Sequence, residues 1–174
     1  MVNIMLSDTI RIAGTVNDSI VDGPGIRLAI FTQGCPHHCE GCHNPESHDF
    51  DGGRWADTDK IIEKIKAKEI IRGVTFSGGE PFCQPEALAD MAEKLKNDGY
   101  HLMAYTGYTF EQLLKMSETD ENVKRLLACL DNIIDGRFVL ALRSLELKYK
   151  GSSNQRTLDV QESLRRGRAV EVEI

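Results

Sequence analysis

Residues 26–47, IRLAIFTQGCPHHCEGCHNPES, join an apolar run to three cysteines and three histidines. The run as far as Gly34 is rich in β-branched and aromatic side chains and reads as a buried strand. The remainder, punctuated by Pro36, Gly41 and Pro45, reads as the loop that this strand feeds. The chain beyond this loop decides the fold, because strands that alternate with helices form parallel sheets whose functional residues gather beyond the strands' C-terminal ends.

The alternation is present. TDKIIEKIKAKEI places Ile61, Ile62, Ile65 and Ile70 near helical spacing, with Asp57 as its cap, and GVTFSG (73–78) reads as a strand. Leu88, Met91, Ala92 and Leu95 mark the next helix, closed by Gly99, and YHLMAYTG reads as the strand after it. Thr109 caps FEQLLKM; Val123, Leu126, Leu127 and Leu130 mark another helix face; NIIDG returns as a strand. A parallel sheet with right-handed crossovers and outer helices is the predicted α/β architecture. A closed eight-unit barrel typically takes about 250 residues, so 174 residues predict an open arc or a doubly wound sheet. The cysteine loop, SGGEP, YTG and DGRF each succeed one of the four strands and should meet at one end.

The length suits one core, and residues 1–174 are read as a single domain. No apolar run approaches the ~18 residues of a membrane span, and MVNIMLSDTIRI lacks the features of a secretory signal, so a cytoplasmic chain is expected. Net charge is −6 with both signs interspersed, which leaves no basic face for nucleic acid. LRRGR (164–168) reads as a solvated helix end closed by Gly167. Five cysteines, three of them within eight positions, point to a metal or redox site rather than disulfides.

Cys35, Cys39 and Cys42 are spaced C-x3-C-x2-C. Three readings compete. Zinc would need a fourth ligand from His37, His38, His43 or His48, although zinc ligands usually come as two pairs from separate turns. CEGCH (39–43) matches the haem attachment motif, but that chemistry goes with export and leaves Cys35 without a role. A 4Fe-4S cluster normally takes four thiolates, so three would leave one iron open to a substrate or cofactor. Cys83 sits in a loop at the same sheet end and could supply a fourth; Cys129 lies on an apolar helix face and reads as core.

C-x3-C-x2-C after the first of these strands, with SGGEP (77–81) after the second, resembles the radical S-adenosylmethionine enzymes. DGPGIR (22–27), CHNPES (42–47), YTG (105–107), DGRF (135–138) and GSSNQR (151–156) extend the resemblance to the small glycyl-radical activases, in order, over residues 22–159. The resemblance implies a partial, open β/α barrel in which Cys35, Cys39 and Cys42 each bind one iron and S-adenosylmethionine chelates the fourth. It implies that Gly41 and His43 contact the cofactor, that Gly78, Gly79 and Glu80 receive its amino group, that Thr106 serves the ribose, and that Asp135 and Arg137 border the site. These residue types suit such roles, since an ammonium needs carbonyls or a carboxylate and glycines let backbone approach closely. GSSNQR is expected near the open edge as a capped turn or a polar contact, and Phe50 and Trp55 as cluster shields or core anchors.

The implied reaction begins with an electron from flavodoxin or ferredoxin. It yields a 5′-deoxyadenosyl radical that takes a hydrogen from a glycine Cα of a partner, the glycyl-radical subunit of anaerobic ribonucleoside-triphosphate reductase. The alternatives are an activase of another glycyl-radical enzyme such as a formate lyase, a radical enzyme acting on a small molecule, and a zinc-stabilised binding module.

Overall fold

The computed structural model describes residues 8–174. Residues 1–7, the start of the stretch read for a secretory signal, lie outside the described residues. Strands β2 (Arg27–Thr32), β4 (Gly73–Gly78), β5 (His101–Tyr105) and β6 (Asn132–Asp135) are parallel neighbours, as the alternation predicts. Three strands that the periodicity does not reveal flank them. β1 (Thr9–Ser19) pairs antiparallel with both β2 and β3 (Arg54–Asp57), and β7 (Arg156–Asp159) pairs antiparallel with β6. The row runs β3-β1-β2-β4-β5-β6-β7, with β3 and β7 at opposite ends, so the sheet is open.

The helices are placed by their caps. Asp57 accepts from Asp59 N and Lys60 N to start α1 (Thr58–Lys66). Pro85 opens α2 (Pro85–Asn97), and Gly99, at φ +85°, turns the chain out of it. Thr109 and Gln112 form a reciprocal capping box on α3 (Phe110–Ser117), and Asp120 caps α4 (Glu121–Cys129). Asp159 caps α5 (Val160–Arg166), which ends on left-handed Gly167; its Arg165 and Arg166 pair with Glu162, a solvated helix end as read from LRRGR. One sequence assignment fails. Ile70 is 57% exposed and Ile71 is buried instead, because α1 ends at Lys66 and the helical phase stops there.

Leu28, Ile30, Val74, Phe76, Leu102, Ala104 and Ile133 occupy one face of the sheet and form a single cluster with the inward residues of α1 to α4, Cys129 among them. The alternate positions of the same strands face the other way, and there α1 to α4 provide no cover. At the start of β2 that other face carries a buried arginine. Arg27 donates from Nε to Thr75 Oγ1 (2.8 Å), from Nη1 to Pro24 O (2.8 Å), and from Nη2 to Val74 O and His101 O (both 3.1 Å). Burial pulls its pKa down to about 10, the mark of a cation compensated by dipoles rather than by a contacting carboxylate. The planar fork closes the base of the sheet by tying residue 24 to β4 and β5. Beyond β7, Asp159 N donates to Val170 O and Val172 N to Thr157 O, so residues 170–172 run along the outer edge of that strand.

Arg27→Lys keeps the charge and loses the fork, leaving buried acceptors unpaired. We expect urea unfolding of that variant, monitored by circular dichroism, to report a loss of about 3 kcal/mol; a loss below about 0.5 kcal/mol, the scale of an ordinary surface substitution, would refute this role for the guanidinium.

Candidate active site

The cysteine loop leaves the end of β2 and is fixed at its neck by backbone bonds: Gly34 N donates to Ser47 O (2.7 Å) and Cys35 N to His48 O (3.1 Å). The buried Gln33 spans its interior, Nε2 donating to Glu46 O (2.9 Å) and Asp49 O (2.7 Å). Within the loop Cys42 N donates to Cys39 O (3.2 Å), which brings the last two cysteines into one turn. All three thiols are free, Cys35 buried and the others half-buried. Burial raises the Cys35 pKa, which disfavours its thiolate in the absence of a compensating charge.

A single carboxylate holds the loop in place. Glu80, buried within SGGEP, accepts from Phe82 N (3.1 Å) and Thr106 Oγ1 (2.8 Å) on Oε1, and from Gly107 N (2.8 Å) on Oε2. Its Oε2 also meets His37 Nε2 at 2.8 Å, and the His37 ring lies edge-on to Tyr108 at 4.6 Å. His37 stands between Cys35 and Cys39, so three segments distant in sequence converge on one anion. Both oxygens that the resemblance assigns to the cofactor's amino group are thus occupied by protein donors. Thr106, assigned to the ribose, turns its hydroxyl onto the same carboxylate.

The two glycines before Glu80 serve the backbone. Gly79 N donates to Thr32 O (2.7 Å) and Glu80 N to Gly34 O (2.9 Å). A Cβ on Gly78, at φ +96°, would strike Thr32 N, and one on Gly79 would strike the Gly34 carbonyl. Their first duty is therefore to let the end of β4 lie against the root of the cysteine loop. Asp135 is buried too, accepting from Phe110 N (2.8 Å) at the start of α3 and from Arg156 Nε (3.0 Å). Arg137 is exposed and offers only its carbonyl, to Asn154. Cys83 is half-buried, and burial pushes its thiol up to about 11. Phe50 (53% exposed) and Trp55 (60%) are not core anchors: the Phe50 ring covers Gly34, and Trp55 lies under the Arg11 guanidinium.

Of the expected contact residues, Cys42 and His43 wall a cavity of about 680 Å³ on the face that α1 to α4 leave bare. Gly41, at φ +76°, packs against Leu140 beside it. Sequence reading missed Phe31, Ser77 and Tyr105, which line the same cavity from β2, β4 and β5. They sit at every second position, out of phase with the core residues, and that phase is the signal that could have found them. Burial raises the Tyr105 pKa, so its hydroxyl stays protonated and donates to Tyr149 O (2.7 Å).

The donor set fits an iron–sulfur cluster: three free thiols on one short loop beside a cavity large enough for a nucleoside-sized ligand.

Comparison with known proteins agrees with this chemistry. Residues 21–158 match the family described as 4Fe-4S single cluster domain. The anaerobic ribonucleoside-triphosphate reductase-activating protein of Vibrio cholerae is 32% identical over 78% of this chain and 89% of its own length. The protein of the same name from Escherichia coli K12 is 31% identical over 78% of this chain and 90% of its own. The pyruvate formate-lyase-activating enzyme of Clostridium pasteurianum is 38% identical over 62% of this chain but only 49% of its own length. The structure of QueE from Escherichia coli overlaps 58% of this chain and 54% of its own, with a TM-score of 0.49 and 18% identity. Matched over most of its length by both the domain and the activating proteins, the chain belongs to the 4Fe-4S single cluster family and, within it, to the radical S-adenosylmethionine glycyl-radical activases.

Proposed function

We propose that this chain, acting as a single domain over residues 1–174, places a glycyl radical on an anaerobic ribonucleoside-triphosphate reductase. The observation that carries this reading is the cavity beside Cys42 and His43, walled by the sheet on one side and free of helices on the other. A formate-lyase-type target has less support, since the chain spans about half the length of that relative. When bound, the cluster supplies the electron that cleaves S-adenosylmethionine to methionine and a 5′-deoxyadenosyl radical. Flavodoxin or ferredoxin is the proposed reductant and the cytoplasm the proposed location; among the described residues no helix is long and apolar enough to cross a membrane.

Cys35, Cys39 and Cys42 are the proposed cluster ligands. Gly41, His43 and the backbone of Gly78 and Gly79 are the proposed contacts for the cofactor. Glu80, Thr106 and Asp135 are assigned to holding those elements in register, and Arg137 to the rim.

Single changes to alanine at Cys35, Cys39 or Cys42 should abolish cluster incorporation, whereas Cys83→Ala and Cys129→Ala should retain it. Iron and sulfide counted after anaerobic reconstitution decide the point, and loss of iron in folded Cys83→Ala would refute the three-ligand assignment.

Gly79→Val forces the Gly34 carbonyl away and should cost iron as well as 5′-deoxyadenosine release. A variant with full iron content that lacks only turnover would refute the role of Gly79 at the root of the cysteine loop and leave only its contact with the cofactor.

The function itself is tested by mixing the reconstituted protein, S-adenosylmethionine, a reductant and the reductase without oxygen. A glycyl doublet in the electron paramagnetic resonance spectrum is expected, absent when the reductase's target glycine is replaced by alanine. Release of 5′-deoxyadenosine with no doublet, and consumption of a small molecule in its place, would overturn the reading.

A further inference from the structure

The rim of the cavity is unlike the rest of the surface. Ile20 (69% exposed), Val21 (71%) and Leu145 (88%) stand in solvent, and all three line the cavity mouth. Val139, Leu140 and Leu142 extend this exposed apolar surface along the loop after β6, and Leu140 reaches Gly41 in the cysteine loop. Contiguous exposed apolar surface of this kind marks an interaction site.

The same loop carries concentrated charge. Residues 137–150 hold Arg137, Arg143, Lys148 and Lys150 against Glu146 alone, a net +3 in a chain of −6, which leaves −9 on the remainder. No ion pair among the described residues engages these four cations, whereas Arg125 and Arg156 are each tied to two carboxylates.

GSSNQR keeps this loop ordered. Buried Ser152 presents Oγ to Val139 N (3.1 Å); Asn154 Nδ2 donates to Arg137 O (2.8 Å); Gln155 Nε2 donates to Gly136 O (3.1 Å) while its Oε1 accepts from Gly151 N (3.0 Å). Ser144 N donates to Gly151 O (3.2 Å) and Ser153 N to Leu142 O (2.9 Å). The motif is thus a clasp that closes both ends of the loop into a fixed platform. An ordered surface loses little entropy on docking.

We propose that residues 137–150, with Ile20 and Val21, form the docking face for the protein whose glycine is activated, and that they recognise an apolar segment flanked by carboxylates. This rests on the function proposed above. Charge complementarity selects the acidic flank, and the apolar platform is continuous with the cavity that the target Cα must reach. The platform therefore sets affinity and approach, while the cysteine loop and cavity carry the chemistry.

Binding and turnover are measured separately. Affinity for the reductase is titrated anaerobically with the wild-type protein, Arg143→Glu/Lys148→Glu and Leu142→Ser, at about 0.05 M and about 0.5 M salt. None of these positions lines the cavity. The charge-reversed variant should bind about tenfold more weakly at low salt, with the deficit shrinking at high salt; Leu142→Ser should bind more weakly at both. Release of 5′-deoxyadenosine without the reductase should not change in either variant. Unchanged affinity in both variants overturns the docking face while a wild-type glycyl doublet still upholds the function. Weakened binding without any wild-type doublet upholds the face and overturns the function. If the substitutions instead abolish self-association or attachment to anionic vesicles, with reductase affinity intact, the platform serves a second copy or a lipid surface and the proposal fails.

Discussion

The architecture at the working end depends on one buried anion. Glu80 is buried, so its stability rests on the four groups that surround its two oxygens. A buried carboxylate without partners would cost several kcal/mol, and that cost is what makes the arrangement specific. His37 must come from the cysteine loop, Thr106 and Gly107 from the end of β5, and Phe82 from the turn after β4. The placement that satisfies the anion is also the one that sets Cys42 at the cavity. The glycines at 78 and 79 are the steric half of the same constraint, because any side chain there would push the loop root off the strand end.

A second buried charge stands at the opposite end of β2. Arg27 ties residue 24 to β4 and β5 through neutral acceptors. Helices cover one side of the sheet and contribute its apolar core, whereas the other side is organised by polar groups at its two ends. Packing alone could tolerate a shifted strand; these hydrogen-bond sets could not, since a slip of one residue would leave a guanidinium or a carboxylate unmatched.

Much of this was legible in the sequence, and the reason is the one-sided cover. Helices that pack on a single face must show apolar residues at helical spacing, and Leu88, Met91, Ala92 and Leu95 do. Strands covered by helices on one side alternate, as Val74 and Phe76 do with Thr75 and Ser77. The cysteine spacing is local and is read directly. Of the flanking strands, β3 is largely exposed and β7 contributes four residues with a single core leucine, so neither carries a clear alternation, while β1 shows only the pair Ile10 and Ile12 before its alternation lapses at Gly14. The partners of Glu80 were illegible for a different reason: positions 37, 80 and 106 are brought together by topology, and nothing in their spacing records it. The resemblance assigns Glu80 and Thr106 to the cofactor, whereas the hydrogen bonds of both side chains run here to protein groups. Arg27 ends the DGPGIR motif, and its burial was illegible because an arginine is exposed by default.

The bare face of the sheet has a further consequence. A cavity with one wall missing cannot by itself keep solvent from what it holds, and a primary carbon radical is quenched by almost any hydrogen donor that reaches it. On the docking face proposed above, the target protein supplies the remaining cover, and this chain is then half of a reaction vessel. Its productive rate should then fall with dilution of either protein while idle cleavage does not, which makes the yield per cofactor consumed a measure of how often the two halves are closed.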